Sequence, residues 1–157
     1  MSYLKKILVS DHRKCTGCRS CETWCSFHHS RKVNISQARL KVVSFPGEGR
    51  FVPQICHQCK DPWCLNACPV DAMARDAKTK AVVILYEKCT GCLACADACP
   101  FGMVKVNSEG NVFKCDLCQG EPECVKSCTR RALIYVEPEN AYTDRAVASA
   151  GKIRGEV

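Results

Sequence analysis

The stretch CTGCLACADACP, residues 89–100, places four cysteines at the spacing C-x2-C-x2-C-x3-C and follows them with proline. Three thiolates two residues apart on a tight loop can bind one face of an iron-sulfur cubane, whereas a fourth thiolate three residues on points elsewhere. The stretch is therefore typical of a loop that holds most of one [4Fe-4S] cluster and lends its last cysteine to a second cluster.

Three further quartets repeat this spacing with small changes. The first keeps every interval but is followed by Ser26 instead of proline, and the second and fourth lengthen only the middle interval, to four and five residues. Such an insertion widens a loop and leaves the opening pair and the closing cysteine in place. The sixteen candidate metal ligands are Cys15, Cys18, Cys21, Cys25, Cys56, Cys59, Cys64, Cys68, Cys89, Cys92, Cys95, Cys99, Cys115, Cys118, Cys124 and Cys128. The sequence thus predicts four [4Fe-4S] clusters.

Other uses of cysteine match the pattern less well. Zinc sites usually join two ligand pairs across a spacer, whereas each quartet here has its third and fourth cysteines within a few residues. A disulfide framework is typical of shorter, exported chains. Attachment of c-type haem requires histidine after C-x-x-C, and the residues at those places are Arg19, Lys60, Leu93 and Gln119. The sequence also lacks a Gly-rich dinucleotide loop and a P-loop, so we expect no catalytic activity from the chain alone.

Length and composition predict one domain whose core depends on metal. The chain has 157 residues, and its 16 cysteines are counted in the 46% hydrophobic content. The remaining apolar content is low for this length, so we expect that the chain does not fold without its clusters. The formal charge of +7 would be offset by about −8 from sixteen thiolates and four oxidised cubane cores, which argues against nucleic acid as a partner.

Basic and aromatic residues close to the quartets have two possible roles. Each quartet has an adjoining lysine: Lys14, Lys60, Lys88 and Lys114. These cations either raise the potential of a neighbouring cluster or are ordinary solvated lysines. We expect His57 to hydrogen-bond a cluster sulfur rather than to bind metal, and Trp24 and Trp63 to pack against clusters.

Local patterns predict short strands and helical turns. Runs rich in β-branched and aromatic residues predict six strands, at Leu4–Val9, Leu40–Phe45, Phe51–Ile55, Ala81–Leu85, Met103–Val106 and Ala132–Val136. Helical turns are predicted near Cys18–His28, Pro62–Ala67, Cys92–Ala98 and Pro122–Cys128. The basic connection at residues 26–49 is either a docking loop or a solvated connection with one strand.

Two features bear on location. No segment approaches the roughly 20 apolar residues that span a bilayer, so we expect no direct membrane span. The amino terminus has neither a signal-like apolar run nor a twin-arginine pair. We therefore expect a cytoplasmic protein, although export of the folded chain with a partner that carries a twin-arginine signal stays open.

Over about residues 1–137, the chain resembles the iron-sulfur electron-transfer subunits of the dimethyl-sulfoxide-reductase type. The stretch CHQCKDPWC, residues 56–64, with Cys68 and Pro69, is similar to the second motif of that family. The resemblance implies an α+β fold with two tandem ferredoxin-like cores, whose short strands and helices wrap around the clusters. It gives a polyferredoxin domain of two interleaved halves at 1–137. The tail at 138–157 lacks cysteine and ends in a small, polar sequence, so we expect it to be flexible or to dock a partner.

The resemblance also implies a nested pairing of quartets. The first would pair with the fourth and the second with the third, each giving its last cysteine to the other's cluster. The implied ligand sets are Cys15, Cys18, Cys21 with Cys128; Cys115, Cys118, Cys124 with Cys25; Cys56, Cys59, Cys64 with Cys99; and Cys89, Cys92, Cys95 with Cys68. The spacing alone allows sequential pairing of neighbouring quartets equally well.

The resemblance implies that the chain transfers electrons and has no catalytic activity of its own. The chain would relay single electrons between a larger oxidoreductase subunit, preferably of the tungsten or molybdenum pterin type, and another redox carrier, within a hetero-oligomer that can include a flavin- or quinone-linked subunit. One alternative is a free polyferredoxin that diffuses between enzymes, but such proteins usually have a strongly acidic surface. A zinc-bound interaction module is a third hypothesis.

Overall fold

The computed structural model describes residues 4–138, in which short strands and helices alternate. The strands are β1 (Ile7–Ser10), β2 (Lys41–Phe45), β3 (Arg50–Gln54), β4 (Met73–Arg75), β5 (Val82–Ile84), β6 (Val104–Val106), β7 (Val112–Lys114) and β8 (Leu133–Val136). The α-helices are α1 (Ser20–Ser30), α2 (Trp63–Asn66), α3 (Ala94–Asp97) and α4 (Glu123–Lys126). Single 3-10 turns lie at His12–Lys14, Ile35–Gln37, Pro46–Glu48 and Leu117–Gly120.

Within these residues the strands form separate two-stranded antiparallel sheets. Three sheets are hairpins of consecutive strands, namely β2 with β3, β4 with β5, and β6 with β7. The other pairs β1 with β8, so that Ile7 lies opposite Val136 and the two ends of the described chain meet. The predicted α+β fold class is confirmed.

The structure has two strands that the sequence pattern did not predict, β4 and β7. Each has three residues, which is too short to show an alternating pattern, and each exists by pairing with a strand that was predicted. All four predicted helical turns are present, and α2 and α3 end before Pro69 and Pro100. Strand β1 begins three residues later than predicted, at Ile7.

Two hydrophobic cores contain cysteines from different quartets. The outer core packs cysteines of the first and fourth quartets with Ala38, Leu40, Val42, Ile55 and Leu133. The inner core packs cysteines of the second and third quartets with Met73, Val82, Val104 and Val112. The segment that forms the inner core is therefore inserted in sequence between the two parts that form the outer core.

The connection at residues 26–49 is part of the scaffold. Ala38, Leu40 and Val42 are buried in the outer core. The ammonium of Lys105, on β6, donates hydrogen bonds to the carbonyls of Ala38 at 2.6 Å and Leu40 at 2.8 Å. These bonds join the inner part of the chain to the outer part. The predicted tail at 138–157 lies outside the described residues except for Pro138.

Candidate metal centres

Among the described residues, cysteine thiols line four cavities. Cavity I has Cys15, Cys18, Cys21 and Cys128. Cavity II has Cys25, Cys115, Cys118 and Cys124, and Cys56 of the neighbouring cavity III also lines its wall. Cavity III has Cys56, Cys59, Cys64 and Cys99. Cavity IV has Cys68, Cys89, Cys92 and Cys95. The structure thus brings together three cysteines of one quartet with the last cysteine of another, in the nested grouping and not in the sequential one.

The four short helices explain this grouping. The third and fourth cysteines of every quartet are four residues apart, so one helical turn separates them. On α1, Cys21 therefore faces cavity I while Cys25 reaches cavity II. The helices contact each other in two pairs, α1 with α4 and α2 with α3. Each pair consequently supplies two neighbouring cavities, and the exchange of closing cysteines follows from helix geometry.

Neighbouring cavities are connected in the order I, II, III, IV. Helix α1 connects cavities I and II, because it carries Cys21 of the first and Cys25 of the second. The helical turns at α2 and α3 connect cavities III and IV, because the third and fourth cysteines of each quartet line different cavities. Cys56 lines both cavity II and cavity III, so it joins the two pairs. Cys18 in cavity I and Cys92 in cavity IV are exposed, whereas the cysteines of cavities II and III are buried or half-buried. The chain of cavities therefore has accessible ends and a protected centre.

The donor set fits a polynuclear cluster better than a single ion. All sixteen cysteines are free thiols, so the structure contains no disulfide framework. The cavities are alike in size, from 320 Å³ for cavity IV to 370 Å³ for cavity III, including their open mouths. Zinc–sulfur bonds of about 2.3 Å would place ligand atoms roughly 3.8 Å apart. Among the described residues, the only three ligand atoms within 4.8 Å of one another belong to His28, His29 and Cys118.

A backbone N–H points at the closing cysteine of every quartet. The sulfurs of Cys68, Cys99 and Cys128 accept from the N–H groups four residues on, at 3.2, 3.4 and 3.2 Å. Cys25 instead accepts from Arg39 at 3.2 Å. Helix α1 continues past Cys25 to Ser30, so the N–H that donates to the Cys25 sulfur comes from further along the chain. Such bonds stabilise negative charge on sulfur and tune the potential of a cluster.

Burial keeps several thiols protonated in the absence of metal. It raises the pKa of Cys21 to about 12 and that of Cys118 to about 11, and it also raises the pKa values of Cys115 and Cys124. By contrast, N–H donation from Ser20 lowers the pKa of the exposed Cys18. Cluster binding in cavities I and II must therefore release protons, and it would replace buried neutral thiols by metal-bound thiolates.

A charged group that the sequence spacing could not reveal lies beside cavity II. The guanidinium of Arg39 is 2.7 Å from Asp116, and Nε2 of His29 lies 3.6 Å from Asp116 and 3.7 Å from Sγ of Cys118. Burial, followed by the Arg39 charge, lowers the pKa of His29 to about 4 against the opposing effect of Asp116. The imidazole of His29 thus lies beside the Cys118 sulfur, and the ion pair of Arg39 and Asp116 lies next to that imidazole.

The residues predicted to act beside the quartets differ in their surroundings. Lys14, Lys60 and Lys88 are exposed, whereas Lys114 is buried. His57 and Trp63 line cavity III, so their roles towards a cluster stay predictions. Trp24 is half exposed, packs edge-on against Phe27 at 6.1 Å and is not part of the four cavity walls described above. The structure does not bear out its predicted packing against a cluster, because its ring packs on its own helix.

Paired helical turns, hairpins and cysteine-lined cavities together define a ferredoxin-type iron-sulfur protein. The chain belongs to the 4Fe-4S dicluster domain family, which it matches over residues 48–138. It is an electron-transport iron-sulfur protein related to subunits of oxidoreductases.

Relatives of known description support this class. A polyferredoxin-like subunit of an aliphatic sulfonate oxidoreductase from Pyrococcus furiosus is 45% identical over 117 residues, which cover 73% of this chain and 66% of that protein. The putative electron transport protein YsaA of Escherichia coli strain K12 is 34% identical over 155 residues, 90% of this chain and 96% of that protein. The beta subunit of an NADH-dependent phenylglyoxylate dehydrogenase from Aromatoleum evansii is 32% identical over 140 residues, 87% of this chain but only 31% of its own length.

A solved structure has the same architecture. A chain of the active site complex BamBC of benzoyl coenzyme A reductase, as isolated, aligns with a TM-score of 0.51 and 25% identity, covering 94% of this chain and 89% of that chain. Among residues 4–138, no helix combines the length and the apolar character that crossing a bilayer requires.

Proposed function

We propose that this protein is a four-cluster electron-transfer subunit that relays single electrons between a catalytic oxidoreductase subunit and another redox carrier. The observation that carries the proposal is the set of four cysteine-lined cavities connected through the helical turns of the quartets and through Cys56. When bound, each [4Fe-4S] cluster would supply one-electron redox chemistry. The sixteen thiolates would hold the clusters in the nested sets, and the N–H groups aimed at the closing cysteines would stabilise the reduced forms.

The ends of the chain of cavities are the proposed points of electron entry and exit. The sulfur-bearing loops at Cys18 and Cys92 are exposed, so redox partners can approach cavities I and IV most closely. The half-buried and buried thiols of cavities II and III are shielded by protein. This difference favours passage of electrons through the length of the subunit and disfavours side reactions with solvent at the centre.

The partner is proposed to be a tungsten or molybdenum pterin oxidoreductase. Support comes from the resemblance of the CHQCKDPWC stretch, residues 56–64, to the corresponding motif of such electron-transfer subunits. Relatives described as subunits of an aliphatic sulfonate oxidoreductase and of a phenylglyoxylate dehydrogenase agree with a role beside a catalytic partner. On this proposal the chain has no catalytic activity of its own and works in the cytoplasm.

The test is an anaerobic pull-down of the chain from its native host, with protein identification and elemental analysis for iron, zinc, molybdenum and tungsten. We expect brown material with about sixteen irons per chain and a stable complex that contains a pterin-metal subunit. An iron-rich chain without a partner would favour the diffusing polyferredoxin instead. Zinc in place of iron and acid-labile sulfide would overturn both functions and favour the interaction module.

A further inference from the structure

Lys114 is a buried lysine at the junction of cavities II and III. Only 2% of its surface is exposed. It immediately precedes Cys115, which lines cavity II, and its own side chain lines cavity III together with Cys56 and Cys64. One ammonium group therefore lies between the two central cysteine sets.

The hydrogen-bond partners of this ammonium are neutral. Nζ of Lys114 donates to the carbonyl of Val82 and, at 3.1 Å, to the carbonyl of Cys115. Within residues 4–138, no carboxylate oxygen forms an ion pair with it. Carbonyl dipoles satisfy hydrogen bonds but provide no net negative charge, and a buried cation without an anion is strongly unfavourable. The compensating charge must come from the sulfur-lined cavities on either side.

Gln58 bonds the backbone of the same two residues as this ammonium. Its side chain is buried, donates from Nε2 to the Cys115 carbonyl at 2.8 Å, and accepts from the Val82 N–H at 2.8 Å. Lys114 and Gln58 thus bind the same two backbone positions. Because Gln58 lies between Cys56 and Cys59, these contacts tie the loop of the second quartet to that of the fourth. The cation therefore lies where the two central ligand loops are joined.

The ammonium of Lys114 lies beside cysteines of both cavities. Lys114 lines cavity III together with Cys59 and Cys64, and its Nζ donates to the carbonyl of Cys115, whose residue lines cavity II. A cation so placed favours added negative charge on either side of it.

We propose that Lys114 is the shared counter-cation of the two central [4Fe-4S] clusters, those of cavities II and III, and that it raises the reduction potential of both. The inference rests on the proposed function, because it requires clusters in these cavities. Reduction adds one negative charge to a cluster, and a fixed cation in a poorly polarisable interior stabilises that charge far more than a hydrated one does. Lys14 and Lys88 hold the same sequence position before their quartets but are exposed.

The experiment is a redox titration, followed by electron paramagnetic resonance, of the full cluster-loaded chain and its variant K114M. Variants C18S and C92S identify the signals of the terminal clusters. We expect K114M to lower the midpoint potentials of the two central clusters by at least about 59 mV, which is a tenfold change in the ratio of reduced to oxidised cluster. The terminal potentials should stay unchanged. K14Q and K88Q are the matched controls and should shift no potential.

Each other outcome has a defined meaning. Four retained clusters with unmoved central potentials, or with all four potentials shifted together, would overturn the role of Lys114. If K114M does not retain its central clusters, K114R decides, because arginine keeps the charge. Central clusters present in K114R with near-native potentials support the inference, and their loss or an equally large shift overturns it. A wild-type chain that holds no clusters would overturn the proposed function itself.

Discussion

Arg39 and Asp116 form an ion pair, with Nη1 of Arg39 2.7 Å from Oδ2 of Asp116. The backbone N–H of Arg39 also donates to Sγ of Cys25. Asp116 in turn accepts from the N–H of Cys118 at 2.9 Å. One ion pair therefore joins the connection after the first quartet to the fourth quartet, and both ends contact cysteines of cavity II.

Replacing Arg39 by methionine should destabilise the loaded protein by about 1–3 kcal/mol, between the values typical of exposed and of buried ion pairs. The side chains of Arg39 and Asp116 are 14% and 29% exposed, so solvent screens the pair only in part. R39M keeps the backbone donor to Cys25 and removes the guanidinium, with its charge and its hydrogen bond to Asp116. The loss should appear as faster unfolding in guanidinium under anaerobic conditions, since cluster loss makes unfolding irreversible.

The double-mutant cycle with D116N provides the control for R39M. The amide that D116N introduces is neutral and needs no cation. R39M should therefore lower the stability of the D116N protein by less than it lowers the stability of the wild-type protein. Strictly additive effects of the two substitutions would contradict an energetic coupling between these side chains.

Gly17 and Gly91 allow a second test, because each is the third residue of a Cys-Thr-Gly-Cys stretch. Their φ angles are nearly the same, +73° and +71°. A Cβ atom on Gly17 would lie 2.5 Å from Cδ1 of Phe51, whereas a Cβ on Gly91 would meet nothing within 4 Å. G91A should therefore lower the stability of the protein only by the backbone strain of about 1–2 kcal/mol, and G17A should lower it clearly more.

Thermal unfolding of the two loaded variants measures this difference. Shortening the aromatic side chain with F51A should recover part of the extra loss in G17A, because it removes the atoms that the new methyl group meets. Equal destabilisation by G17A and G91A would show that the Phe51 ring moves away without cost.

The sequence pattern predicted the helical turns that recur in every quartet. It did not predict the strands that form only by pairing with other parts of the chain. The interval between the third and fourth cysteines is one helical turn, and all four predicted turns are present. Strand β4, with Ala74 and Arg75, has no strand-like pattern and exists through pairing with β5. Short strands of this kind gain their stability from tertiary neighbours, which local sequence does not contain.

The same limit applies at the candidate site. Lys88 and Lys114 occupy equivalent positions before a quartet, yet only Lys114 is buried, and its ammonium donates to the carbonyl of Val82, 32 residues away in sequence. His29 and Cys118 are 89 residues apart, and their contact depends on how α1 packs beside the fourth quartet. Spacing identifies the candidate ligands, but the charges around them are set by residues that are remote in sequence.

Complete removal of iron should unfold the chain. Cysteines form a large part of both cores, and without metal their cavities become voids lined by neutral thiols. Metal binding supplies folding free energy when the site is not preformed in the unfolded chain. Circular dichroism before and after anaerobic chelation should show loss of the native spectrum, and reconstitution with iron and sulfide should restore it. A native-like spectrum of the iron-free chain would contradict this prediction.

Cys25 tests which quartets share clusters. It lies on α1 with Cys21 but lines cavity II, so C25S should damage the cluster held by Cys115, Cys118 and Cys124. C118S should damage the same cluster, so the double variant C25S/C118S should lose no more iron than the single variant that loses more. C59S damages a different cluster, in cavity III, so the iron losses of C25S and C59S should add. Iron analysis and electron paramagnetic resonance measure both pairs. Sequential pairing of quartets would reverse the pattern, because Cys25 and Cys59 would then hold one cluster.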